Sequence, residues 1–151
     1  MKDLIVIGLF CITLVFSACS SGFKGGYVGQ AEISTFVRND TTKGEKEVFE
    51  KVLALITPEG GAATIDFSDT TSIRNCKLQL KSLAERPKYD AGQTCEVVVN
   101  GATEKFTVDG ISLTNGTDSG GKMYINVEGW TYATGRNHVR INFSGERYEK
   151  K

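Results

Sequence analysis

The side chains able to do covalent or metal chemistry are few in this sequence: four cysteines and one histidine, His138, in 151 residues. Cys76 and Cys95 lack the Cys-x-x-Cys spacing of a redox dithiol. With a single histidine they cannot complete the usual four-ligand zinc set, so no metal is expected. Carboxylate pairs for glycoside hydrolysis can be drawn from Asp66 and Asp69, or from Asp109 and Glu128. Nothing in their spacing selects either pair, and residues of this kind usually decorate half-exposed strands. His138 lacks a nucleophile elbow that would make it part of a Ser-His-Asp arrangement. The run Asn115 to Gly121 is rich in oxygen ligands but has neither EF-hand spacing nor a closing glutamate, and reads as a hairpin loop. No catalytic residue, enzyme activity or cofactor is expected.

The chain carries 18 basic and 18 acidic residues. That neutrality argues against a nucleic-acid partner, which would need a basic surplus to pair with phosphates. The length suits one domain.

The apolar residues are concentrated at the start. From Leu4 to Phe16 only Gly8 and Thr13 interrupt an apolar run. It is shorter than the roughly 20 residues a helix needs to span a bilayer. With Lys2 before it and small residues after it, it reads as the hydrophobic region of a secretory signal. The run ends in Phe16-Ser17-Ala18-Cys19-Ser20. This ending resembles the lipobox of bacterial lipoproteins, although Phe16 stands where that family usually has Leu. The resemblance implies cleavage after residue 18, lipidation of Cys19 and attachment to a membrane. Ser20 after the cysteine implies, by analogy with enteric bacteria, the outer membrane. Residues 1–18 are then the signal peptide, 19–26 a Ser- and Gly-rich flexible tether, and 27–148 the domain. In an exported domain Cys76 and Cys95 read as one disulfide.

The body reads as eight strands with period-two patterning. The first carries Tyr27, Gly29, Ala31, Ile33, Thr35 and Val37 on one face, and Asn39 to Gly44 follows as a loop. Residues 47–57 fit a helical stripe or a strand. A strand is preferred, because Pro58-Glu59-Gly60-Gly61 looks like a hairpin turn into Ala63–Phe67. Strand four spans about 75–83, with Cys76, Leu78 and Leu80 on one face. Strand five spans about 93–99, with Cys95, Val97 and Val99 on one face. Glu85-Arg86-Pro87-Lys88 reads as the turn of a symmetric hairpin that sets the cysteines opposite each other. Asn100-Gly101 is a two-residue turn signal. Phe106 and Val108 share one parity, and Ile111 and Leu113 the other. A bulge at Asp109-Gly110 would let both pairs face the core. The last two strands span 122–132 and about 137–147, joined through Thr134-Gly135-Arg136-Asn137.

These elements predict an all-β fold, an antiparallel up-and-down barrel of about eight strands, with a β-sandwich as the alternative. The stretches Gly26–Ile33, Val108–Ser112 and Ile141–Arg147 are similar to small bacterial lipoproteins with a calycin-like, or lipocalin-like, β-barrel. That resemblance lends support to a closed barrel and carries no catalytic residue. Two functions follow as expectations. One is a membrane-tethered binding module holding a small apolar ligand. The alternative is a protein-interaction or inhibitor module. In strand seven Tyr124, Trp130 and Tyr132 share the parity of Asn126 and Glu128, so they should form an outward row that could meet an envelope protein. His138 should also face outward, opposite in parity to Val139 and Ile141.

Overall fold

Alternating apolar and polar residues, broken at Gly and Asn turns, build strands throughout. The computed structural model describes residues 22–38, 40–67, 70–116, 121–131 and 137–148. The strands are β1 (Gly25–Val37), β2 (Asp40–Glu59), β3 (Ala62–Asp66), β4 (Ile73–Arg74), β5 (Lys77–Leu80), β6 (Thr94–Val99), β7 (Ala102–Gly116), β8 (Lys122–Thr131) and β9 (His138–Tyr148). They form one antiparallel sheet in the order β4-β6-β7-β8-β9-β1-β2-β3-β5. The sheet is not closed by a ladder. Its two edges, β4 and β5, are nonetheless consecutive in the chain, separated only by Asn75 and Cys76.

Several expectations hold. Residues 47–57 are strand, and β2 turns into β3 through Gly60-Gly61, with Glu59 paired to Ala62. Asn100 (φ 48°) and Gly101 (φ 80°) make the tight turn between β6 and β7. Both central residues take positive φ, as the favoured hairpin turn requires. The Asp109-Gly110 step is a bulge and not a reversal: Val108 pairs with Gly129 and Gly110 with Glu128, leaving Asp109 extra. Phe106, Val108, Ile111 and Leu113 are consequently all buried.

Other expectations are corrected. The segment expected to loop at Asn39–Gly44 is strand from Asp40 onward, because Val37 pairs with Asp40 and Phe36 with Gly44. The residues between are a wide bulge. It is organised by the Asp40 carboxylate, which accepts from the Thr42 amide and hydroxyl and pairs with Lys43. These donors hold its carboxyl below the ordinary 3.8. Val37 lies exposed at the strand tip. A second bulge at Lys51 (φ 58°) shifts the parity of β2: Gly29 pairs with Val52 but Ala31 with Phe49. Val52, Ala54 and Ile56 then face inward and Val48 outward.

The expected strand 75–83 is shorter, Lys77–Leu80 (β5), and a separate two-residue strand, β4, precedes it. Asn75 (φ 47°) lies between the two, and β4 pairs with β6 while β5 pairs with β3. The chain does reverse near Glu85, with Lys81 N–H donating to Lys88 O at 2.6 Å and Leu80 bridged to Tyr89. The symmetric hairpin is absent, because the two arms diverge to different partners. Cys76 and Cys95 are nevertheless joined by a disulfide.

The core is one cluster drawn from all nine strands. Two contacts cross it. The rings of Phe67, just past β3, and Phe143 of β9 meet edge to face at 5.8 Å, although β1 and β2 lie between those strands in the sheet. The backbone of β6 comes within 8 Å of β1 and of β2 without pairing to either. At the other end Gly22–Lys24 folds back onto the domain. Tyr27 OH donates to Phe23 O at 3.1 Å, and Asn115 Nδ2 donates to Gly22 O at 2.9 Å. Residues 22–26, expected as tether, are thus held by the fold, with Gly25 and Gly26 already in β1.

Candidate functional site on the outer face of β7–β9

The hairpin of β8 and β9 sets its residues in direct opposition: Trp130 with His138, Glu128 with Arg140, Asn126 with Asn142, Tyr124 with Ser144. Directly opposed residues share a face of the sheet. Here it is the outer one, since Met123, Ile125, Val127, Val139, Ile141 and Phe143 fill the core. The expected outward row is therefore present for Tyr124 and Trp130, and His138 faces outward as its parity indicated. Tyr132, Cys19 and Asp69 lie outside the described residues, as does most of the oxygen-rich loop 115–121.

At the end of this face near the β8–β9 connection, three rings stand in line across β1, β9 and β8. Phe36 is opposite His138 and His138 opposite Trp130. The imidazole and indole centroids are 4.9 Å apart. One step along the strands, Glu128 Oε2 accepts from Arg140 Nε at 3.1 Å and lies 3.1 Å from Nη2, with His138 Nε2 at 3.8 Å. Glu128 can lie flat here because Gly110 opposite has no side chain: a Cβ there would stand 2.6 Å from Glu128 Cγ. The bulge at Asp109 thus makes the room in which the carboxylate meets Arg140 and His138.

Tyr89, from the β5–β6 connection, completes the surroundings. It packs against the core, and burial raises its phenol above the ordinary 10.0, with the Asp109 and Glu128 charges adding to the effect. Of the carboxylate pairs drawn from the sequence, Asp109 and Glu128 are therefore brought to one place. Glu128 is already committed to the Arg140 guanidinium through two contacts at 3.1 Å. Asp66 lies on β3 opposite Leu55 and Lys77. What this face can do is recognise: it offers aromatic surface, a polarised Arg–Glu–His group and a ladder of amides.

Sequence reasoning missed Phe36, Tyr89 and Arg140. For Arg140 a signal existed, since a hairpin centred at Thr134 sets residue 140 opposite 128. Comparison with protein-family models, curated proteins and solved structures found no match.

Proposed function

We propose that this chain is a non-enzymatic, lipid-anchored envelope lipoprotein. Its domain is a calycin-like β-barrel that works as a protein-interaction module through the outer face around Trp130. The barrel reading is supported by the two sheet edges meeting at Cys76. This residue is bonded through sulfur to β6, and its carbonyl accepts from Phe67 N–H at 3.1 Å on the β3 side. The anchor reading is supported by the apolar run, the small residues before Cys19 and the short distance in sequence to Gly22. Outer-membrane attachment follows from Ser20 by the same analogy.

The observation that carries an outward-acting function is the Phe67–Phe143 contact across the interior. An eight-stranded barrel has room either for packed side chains or for one small ligand. In this core, rings from β9 and from the end of β3, three positions apart in the sheet, meet in the interior, which supports a packed core over a ligand cavity. The outer face, by contrast, presents Tyr124 at 38% exposure beside half-buried Trp130. Aromatic and arginine side chains dominate binding at protein interfaces.

The test is site-specific photocrosslinking in intact envelopes, with the crosslinker at Tyr124 and, as a control, at Lys77 on the far side of the sheet. A discrete adduct from position 124, lost with Trp130→Ala and absent from position 77, is the expected result. Equal adducts from both positions would remove the assignment of this face. Cys19→Ser checks the anchor, since the protein should then leave the membrane fraction or stay unprocessed.

A further inference from the structure

The outer face of β2, β1 and β9 changes character along its length. Near the middle it is polar: Gln30 Nε2 donates to Glu50, Lys46 pairs with Glu32 at 2.7 Å, and Asn126 bonds Asn142. Toward the start of β1 it becomes apolar. Leu55, Gly26 and Tyr148 stand in one row across the three strands, and Leu53, Val28 and the exposed Glu146, whose carboxylate is answered by Lys122, stand in the next. By parity these residues point outward, because Tyr27, Val52, Ala54 and Ile56 fill the core. Leu55 is 45% exposed and Tyr148 55%. Gly26 between them adds no side chain, so the row presents two apolar groups about 10 Å apart over bare backbone.

The place of this patch is informative. It surrounds the point where the chain enters the fold, with Gly22 tied to Asn115 and Gly25 already paired to Ile56. Only Ser20 and Ser21 lie between Cys19 and Gly22, so an acylated Cys19 lies at most about 11 Å from Gly22. We propose that this apolar end rests on the bilayer surface, with Tyr148 and Leu55 at the headgroup–acyl boundary and exposed Lys24 among the headgroups. The inference rests on the anchor reading above and deepens it. An aromatic ring with a polar tip favours that boundary, and apolar contact adds to acyl insertion in holding a protein to a membrane. The consequence is orientation. The eleven residues of β9 from His138 to Tyr148 separate the Trp130 site from this end by roughly 33 Å along the strand, away from the docked end.

Trp130 is the chain's single tryptophan, which makes the test direct. The full precursor is produced and processed in bacterial membranes, then reconstituted into vesicles of phosphatidylethanolamine with phosphatidylglycerol as the minor component. The acyl chains are either brominated or unbrominated. Tryptophan emission is read for the unsubstituted chain, for Tyr148→Trp in a Trp130→Phe background, and for Leu55→Trp in the same background. Expected is co-flotation of all three, bromine-dependent loss of emission from positions 148 and 55, and none from Trp130. Co-flotation without quenching at 148 and 55 would overturn the docking face while leaving the anchor standing. So would equal quenching at Trp130, or crosslinking of position 148 to a second copy of the chain. Failure to float would overturn the anchor reading and this inference together.

Discussion

If the outer face binds as proposed, Arg140 and Glu128 should matter more for recognition than for stability. Their side chains are 42% and 33% exposed, and exposed ion pairs are worth about 0–1 kcal/mol. Arg140→Ala should therefore shift the urea midpoint by less than about 1 kcal/mol equivalent. It should also weaken crosslinking from position 124, because it leaves the Glu128 charge unanswered beside Trp130. A fall in stability well beyond that range would mean the pair holds the sheet and not the surface. Tyr89 supplies a pH-dependent prediction. Its phenol titrates above the ordinary 10.0, chiefly because it is partly buried against the core. The folded value is the higher one, so the neutral phenol's contribution is complete below about pH 10 and is lost as pH rises through the folded value. Tyr89→Phe should flatten the alkaline limb of a stability-against-pH curve, and an unchanged limb would assign it to other groups. At this scale the outward parity of Trp130 and His138 was legible in the sequence, because alternation survives along an unbroken strand. Tyr89 was not, because it reaches the site from a connection with no period to read.

The strands themselves are regular except where bulges turn them, and the bulges decide which patterns could be read. The Asp109-Gly110 step announced itself, since apolar residues on both sides kept period two and only the parity changed. The Lys51 bulge did not. It places inward Phe49 and Val52 three residues apart, which is also the spacing of a helical stripe. At Asp40 the strand continues through a run of turn-forming residues, because pairing to β1 outweighs local preference. The strand read at 75–83 is strand only at Lys77–Leu80, and the two-residue β4 before it went unread, because two residues carry no alternation and Asn75 switches the partner between them. Both the Lys51 and Asp109 bulges have a glycine at the tightest approach of neighbouring backbones. A Cβ on Gly29 would stand 1.9 Å from Ser144 O, and one on Gly129 would stand 1.9 Å from Thr107 O. Backbone cannot yield as a side chain can, so Gly129→Ala should force β7 and β8 apart. A cost at or above the roughly 1–3 kcal/mol of ordinary overpacking is expected, measured by urea unfolding. Gly61→Ala, where a Cβ meets nothing within 4 Å, is the matched control, and equal costs for the two would contradict the close-approach argument.

For the whole molecule the question is what joins the two edges of an open nine-strand sheet. Backbone pairing does so only in part: β4 holds β6 through Ile73 and Arg74, and β5 holds β3 through Lys77 to Leu80. Across the gap, the Gln93 side chain stands in for a strand. Gln79 N–H donates to its Oε1 at 2.6 Å, and its Nε2 donates to Gln79 O at 2.9 Å. The second joint is the Cys76–Cys95 bond. On the chain-entropy estimate, closing a loop of this length stabilises a fold by about 3 kcal/mol, a large share of the roughly 5–15 kcal/mol typical of a domain. The Cys76→Ser/Cys95→Ser variant should therefore keep its β-sheet spectrum and unfold at lower urea. The loss should also be local. Amides at the seam, Gln79, Leu80 and Val98, should exchange faster with solvent relative to global unfolding. Amides of β8, β9 and β1, each paired along both edges, should keep the slowest rates. Gln93→Ala in the oxidised protein should reproduce the exchange pattern in weaker form, since it removes one joint and leaves the other. If exchange instead rises equally in every strand, the disulfide acts only through the unfolded chain, and the seam has no separate mechanical identity.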